Sequence, residues 1–165
     1  PPETDNLRLE EIYAADQKDR ERVYSSPQDV EALKGRDRER RGEVRDMIGQ
    51  GAINTSTVLY RAAVLFLHGA EPKEFLCAHR LAVMAAINGH RQARWLAAAS
   101  LDRFLMSIGL PQTYGTQFEH NKEENRYQLR LPIDDSAVLH FEKEFFNVPP
   151  VVERLAQLNN KISSS

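Results

Sequence analysis

The stretch "EPKEFLCAHRLAVMAAINGHRQARWLAAASLDRFLMSIG", residues 71–109, holds two helix-length apolar patterns, the first ended by Gly89 and the second by Gly109. Pro72 suits the first turn of a helix, because its missing N–H would be unpaired there anyway. Alanines at 82, 85, 86, 93, 97, 98 and 99 let two helices approach closely. Phe75, Leu81, Val83, Trp95, Leu96, Leu101, Phe104 and Leu105 fill the core around them. A third pattern, "STVLYRAAVLFLH" at 56–68, precedes Gly69. Gly69, Gly89 and Gly109 stand twenty residues apart, and Gly51 precedes the set. A glycine just past a helix can adopt the left-handed conformation that closes its last turn. Short links between similar helices make them antiparallel neighbours. The fold expected is therefore mainly α, an antiparallel bundle of about six helices with three central and roughly equal ones. The twenty-residue period is shared geometry and not a sequence repeat, since the residues themselves do not recur.

Outward from this centre, residues 1–24 read as an amphipathic N-terminal helix capped by Thr4 or Asp5, with Leu9, Ile12, Tyr13 and Val23 as a thin apolar stripe. Ser25-Ser26-Pro27 stops it and opens the next helix. That segment, "EALKGRDRERRGEVRDMIGQG", mixes charges of both signs and is expected to be a solvated helix broken or softened at Gly35 and Gly42. After Gly109 the pattern changes. "YGTQFEH" and "RYQLRL" alternate polar and apolar residues and are expected to pair as a short β-hairpin within 114–131. Pro132 leads into a helix over "DDSAVLHFEKEFF", capped by Asp134 or Asp135, and "NVPPVVERLAQLNN" supplies the last one. The terminal "SSS" is expected to fray. The whole is one domain, 1–165, with central helices in 52–109, a polar loop and hairpin in 110–131 and C-terminal helices in 132–165.

Composition narrows the function classes. A formal net charge of -2 gives no reason to expect nucleic acid or an acidic membrane as partner. Arginines 36, 38, 40, 41 and 45 are interleaved with Asp37, Glu39 and Glu43, unlike a nucleic-acid patch. No apolar run is long enough for a transmembrane segment. The single cysteine, Cys77, reads as a small buried hydrophobe. "PPETDN" is compatible with the scar of a removed signal peptide, so both a cytoplasmic and an exported protein fit.

Antiparallel topology predicts one cluster of chemistry-bearing residues. The end of the first central helix at His68, the last turns of the third at Asp102 and Arg103, and the "PQTYGTQ" loop all fall at the same end of the bundle. His68, Asp102, Arg103, Gln112, Tyr114, Thr116 and Gln117 are thus expected neighbours, with His79 near them. Arg103 near a helix C-terminus suits the helix dipole, whereas Asp102 does not and needs a partner such as His68, His79 or a loop amide. As an enzyme, the cluster would use a His–Asp pair as general base, Arg103 to hold an anion and Tyr114 as proton donor. His68, His79 and Asp102 would alternatively make a two-His, one-carboxylate metal site. As a brace, the same side chains would satisfy one another and the irregular loop. No Walker loop, H-E-x-x-H, nucleophile elbow or dinucleotide fingerprint is present.

The order "DQKDR" (16–20), "LYRAAVLFLHG" (59–69), "AHRLAVMAAINGHRQARWLAAASLDRFL" (78–105), "PQTYGTQF" (111–118) and "LPIDD" (131–135) resembles an uncharacterised bacterial family, a domain of unknown function. That family is marked by Asp-Gln-x-x-Arg, His-Gly, Leu-Asp-Arg and Tyr-Gly-Thr-Gln motifs. The resemblance adds Asp16, Gln17 and Arg20 to the candidate residues, and Gly115 to the loop motif. It implies no activity. Leu67 stands where the pattern has a glutamine, Val58 where it often has an aspartate, and His140 and Lys143 where it has Asp-x-x-Arg. Loss of polar groups favours a structural or binding role. The expectation adopted is a non-catalytic α-helical interaction or accessory module with a polar loop-bracing cluster. The alternative is a small-molecule-binding protein or enzyme acting on a polar or anionic substrate at His68, Asp102, Arg103 and Tyr114. A protein or polar small molecule is the partner expected, with no nucleic acid, no cofactor and no metal.

Overall fold

The computed structural model describes residues 6–163. In chain order these form α1 (Leu7–Arg20), α2 (Pro27–Gly49), α3 (Ser56–Leu67), α4 (Pro72–Ile87), α5 (Gln92–Ser107), β1 (Phe118–Asn121), β2 (Arg126–Leu129), a 3-10 turn (Asp135–Ala137), α6 (His140–Phe145) and α7 (Val151–Ser163). The protein is mainly helical with a two-stranded antiparallel hairpin, as expected, and has seven α-helices among the described residues.

Side-chain caps set the helix starts. Asn6 Oδ1 accepts from Leu9 N at 3.0 Å, Ser26 Oγ from Asp29 N at 3.0 Å, and Thr55 Oγ1 from Val58 N at 3.1 Å. Asn6, then, caps α1; Thr4 and Asp5 lie outside the described residues. Glu71 and Glu74 form a reciprocal capping box at the start of α4. At the other end of α4, Gly89 has φ 90° and His90 N donates to Ala85 O at 2.9 Å, closing the helix with a left-handed residue.

α3 contacts α1, α2, α4 and α5, which explains why its sequence is apolar almost all round. Leu59, Leu65 and Phe66 are each only 2% exposed. Ala78, Ala82, Ala85, Ala93, Ala97 and Ala99 are fully buried along the contacts of α4 with its neighbours. Trp95 packs against both this core and a second, smaller one of Ala98, Tyr114 and Val148.

Three local expectations fail, each for a visible reason, and the hairpin holds within narrower bounds. α2 runs unbroken through Gly35 and Gly42, because tertiary contacts along Asp37, Arg41 and Val44 outweigh the modest helix penalty of glycine. Gly69 does not take the left-handed conformation of Gly51, Gly89 and Gly109; it is needed for close approach. The hairpin lies inside the expected 114–131 but is confined to 118–121 and 126–129, since the amides of Thr113, Tyr114, Thr116 and Gln117 donate to side chains. The helix expected over "DDSAVLHFEKEFF" is a 3-10 turn plus the short α6, interrupted by extended Val138 and Leu139. Of the "SSS" tail, Ser163 ends α7 and Ser164 and Ser165 lie outside the described residues. No described helix is long and apolar enough to cross a membrane.

Candidate functional site

The residues expected at one end of the bundle divide into two groups. The first is a sealed loop cluster. Asp102 is fully buried, and its Oδ1 accepts from Thr113 N (2.7 Å), Tyr114 N (2.9 Å) and Thr113 Oγ1 (3.3 Å). Its Oδ2 accepts from Thr116 N (3.0 Å) and Thr116 Oγ1 (2.7 Å). The unfavourable place of this acid near a helix C-terminus is therefore offset by loop amides, and neither His68 nor His79 is its partner. Gln112 acts as a surrogate strand: its Oε1 accepts from Gln117 N at 2.9 Å and its Nε2 donates to Gln117 O and Arg130 O. Gln117 Nε2 donates to Ala99 O and Thr116 Oγ1, both at 3.1 Å. Tyr114 presents its ring edge to Phe146, with centroids 5.5 Å apart. Burial, then Glu142 and Asp102, push the Tyr114 phenol pKa up, which makes it a poor proton donor. His79 Nδ1 lies 2.9 Å from Ala97 O, tying α4 to α5. His68, His79 and Asp102 thus have three separate sets of partners and do not assemble as a ligand triad. Among the described residues no three His, Cys, Asp or Glu side chains are placed to hold a metal.

The second group surrounds His68, at the corner between α3 and α4. Its Nδ1 is 3.0 Å from Asp16 Oδ1, and Asp16 is 1% exposed. The same oxygen accepts from Arg20 Nη2 at 3.1 Å, while Oδ2 accepts from Gln17 Nε2 at 3.0 Å. Burial would raise the Asp16 pKa, but His68 and Arg20 outweigh it and hold the carboxyl below its usual range. An ionised carboxylate only accepts, so the His68 proton sits on Nδ1. Nε2 has no protein partner among the described residues, and His68 lines an open groove. The backbone of this corner is pinned from both sides. Arg103 Nη1 donates to Leu67 O at 2.9 Å, and Arg41 Nη1 to His68 O at 3.1 Å.

Several of these partners were not legible as site residues. Arg41 Nε donates to Glu74 Oε1 at 2.9 Å, and Glu74 Oε2 accepts from Ala70 N at 2.9 Å and Glu71 N at 3.2 Å. Asp37 accepts from Arg20 (2.7 Å) and Arg40 (3.2 Å), and Asp19 from Arg36 and Arg40. α2 was expected to be a solvated helix, but Asp37, Arg41 and Val44 are buried. Their i, i+4, i+7 spacing is the signal that could have revealed this inner face.

The groove has a volume of about 720 Å³ and runs between α2 and the first turns of α4. Six cationic side chains line it (Lys34, Arg38, Arg41, Arg45, Lys73 and Arg80), against the carboxylates of Asp37, Glu71 and Glu74. Asp37 is already paired with Arg20 and Arg40 behind the wall, and Glu74 with Arg41 in it. Arg38, Lys73 and Arg80 have no carboxylate partner among the described residues. Cys77, expected to be buried, is half-buried at the groove; burial pushes its thiol pKa up against the pull of Arg80 and Arg45.

No family model, curated protein or solved structure matches this chain. The chemistry of the groove is therefore the basis for a functional reading.

The charge network around α1 also sets a pH dependence. Arg36, then Arg40, hold the Asp19 pKa far below its ordinary value of 3.8 against the opposing effect of burial. A carboxyl with a depressed folded-state pKa contributes stability that is complete above its unfolded-state value and is lost as pH falls through the folded one. Asp16 and Glu74 shift in the same direction. Urea midpoints measured from about pH 5 to about pH 2 are expected to fall steadily, and less steeply in Asp19→Asn.

Proposed function

We propose that the protein binds a small, multiply charged anion in the groove beside His68, and that the cluster around Asp102 is a structural brace. The observation that carries this reading is the charge imbalance of the groove wall. Three of its cations lack a carboxylate, while two of its three carboxylates are neutralised within the protein. Uncompensated guanidinium and ammonium groups in a concave site favour an anion, and arginine adds directional, bidentate hydrogen bonds. Asp16 fixes the His68 ring so that Nε2 is the nitrogen available to the ligand, as acceptor or, once protonated, as donor.

Calorimetric titration with inorganic pyrophosphate tests this. Saturable binding is expected, weakened by salt, with Arg38→Ala and Lys73→Ala each lowering affinity by roughly three- to tenfold. Absence of binding, or binding unchanged in both variants, would sink the proposal.

A second reading, a protein-interaction module, is supported by Phe141 and Phe145 on one face of α6. They are 63% and 58% exposed and follow Leu139 at 59%. Under this reading the Asp102 brace serves to hold the segment after the loop against α5. Replacing both rings with serine is then expected to leave stability almost unchanged while abolishing any concentration-dependent self-association seen by sedimentation.

A further inference from the structure

We propose that Arg103 and Arg130 form a second, separate site for a single oxyanion, a carboxylate or a phosphate group. It occupies a pocket of about 370 Å³ between the first turn of α4, the last turns of α5 and the base of the hairpin. Phe75, Arg103, Gln117 and Arg130 line it, and it shares no lining residue with the groove beside His68.

Arg40, Arg41 and Arg61 have side chains only 12%, 7% and 18% exposed, and each reaches a carboxylate: Asp19 and Asp37, Glu74, and Glu10 respectively. Arg103 is partly buried and reaches none among the described residues. Its partners are the neutral oxygens of Gln117, with Nε to Oε1 at 3.0 Å, and Leu67, with Nη1 to the carbonyl at 2.9 Å. These bonds leave Nη2 for a ligand. Enclosing a charge without a counter-charge is costly.

The surroundings increase that cost. Burial, then Arg130 and Arg20, push the Arg103 pKa below its ordinary value, so the nearby cations repel the one already partly desolvated. Arg20 is neutralised by Asp16 and Asp37. Arg130 has no carboxylate partner among the described residues and opens onto the same pocket. Two unpaired guanidiniums facing one small pocket are relieved by an anion between them, through charge-assisted hydrogen bonds.

The donor is also held in place in advance. Gln117 cannot turn to follow Arg103, because its Nε2 is tied to Ala99 O and Thr116 Oγ1. Thr116 is in turn tied to Asp102. The Phe75 ring lies 5.9 Å from the guanidinium carbon and covers one side. The Asp102 brace therefore also aims Arg103, through Gln117.

The test is an NMR titration of the full chain at constant ionic strength, following the Arg103 Nε–H signal, assigned by its loss in Arg103→Lys. Acetate and inorganic phosphate are titrated separately, and the tighter of the two identifies the source of the oxyanion. A saturable shift is expected with at least one of them. Arg130→Ala, an exposed position whose loss does not threaten folding, is expected to weaken it about tenfold. The double variant Arg38→Ala, Lys73→Ala is expected to leave it unchanged, which separates this site from the groove beside His68. No saturable shift with either anion, an unchanged titration in Arg130→Ala, or loss of the response in the double variant would overturn the assignment.

Discussion

Asp102→Ala is expected to lower the stability of this protein by about 3–5 kcal/mol, the range for removing one partner of a buried, charge-assisted network. The carboxylate is fully buried and accepts five hydrogen bonds from Thr113, Tyr114 and Thr116, three of them from backbone N–H groups. Alanine leaves those buried N–H groups without their acceptor. Asparagine is expected to be little better, because its amide NH₂ would confront donors where an oxygen accepted them. Urea unfolding gives the magnitude, and an unchanged slope would confirm that the denatured state is unaffected. Tyr114→Phe is the contrasting variant. The Tyr114 hydroxyl has no hydrogen-bond partner among the described residues while its ring packs on Phe146, so a change within about 0.5 kcal/mol is expected. A large loss in Tyr114→Phe with little loss in Asp102→Ala would reverse the roles assigned here.

Gly69→Ala is expected to destabilise by about 2–4 kcal/mol, because there is no room for a methyl group. A Cβ at this position would lie 2.6 Å from Glu74 Oε2, 2.7 Å from Glu74 Cβ and 2.9 Å from Phe66 O. Glu74 cannot move aside without releasing the amides of Ala70 and Glu71 and the guanidinium of Arg41. Arg41 also holds the His68 carbonyl, so the same variant is expected to weaken pyrophosphate binding. Gly35→Ala and Gly42→Ala should change stability in the opposite direction. Both lie inside α2 with open space around the position, and replacing helical glycine by alanine stabilises by about 0.5–1 kcal/mol. Thermal unfolding of the three variants side by side reads out the difference in sign.

The central helices were legible because their signal is local and redundant. Apolar periodicity, Pro72 at a first helical position and glycines past the ends all favour one reading of residues 56–109. The polar loop was legible as unusual, since Gln112, Thr116 and Gln117 follow an acid placed against the helix dipole. Its pairing was not. Whether Asp102 faces His68 or the loop amides depends on the path of six loop residues, which no periodicity encodes. α2 shows the opposite failure. Its alternating charges suggested a solvated surface, and the net charge of -2 gave no sign of a locally cationic groove. In the fold, Asp16, Asp19 and Asp37 are consumed by Arg20, Arg36 and Arg40, which leaves the cations of the neighbouring groove in excess.

Helix identity, helix boundaries to within a few residues and the core stripe follow from the order of the residues, because each is governed by interactions within a few positions along the chain. Charge compensation does not. A carboxylate neutralises whichever cation folding brings within about 4 Å, here across 21 positions for Asp19 and Arg40 and across 33 for Glu74 and Arg41. The candidate site is what remains after that pairing, and it is defined only once α1, α2 and the α3–α4 corner have packed together.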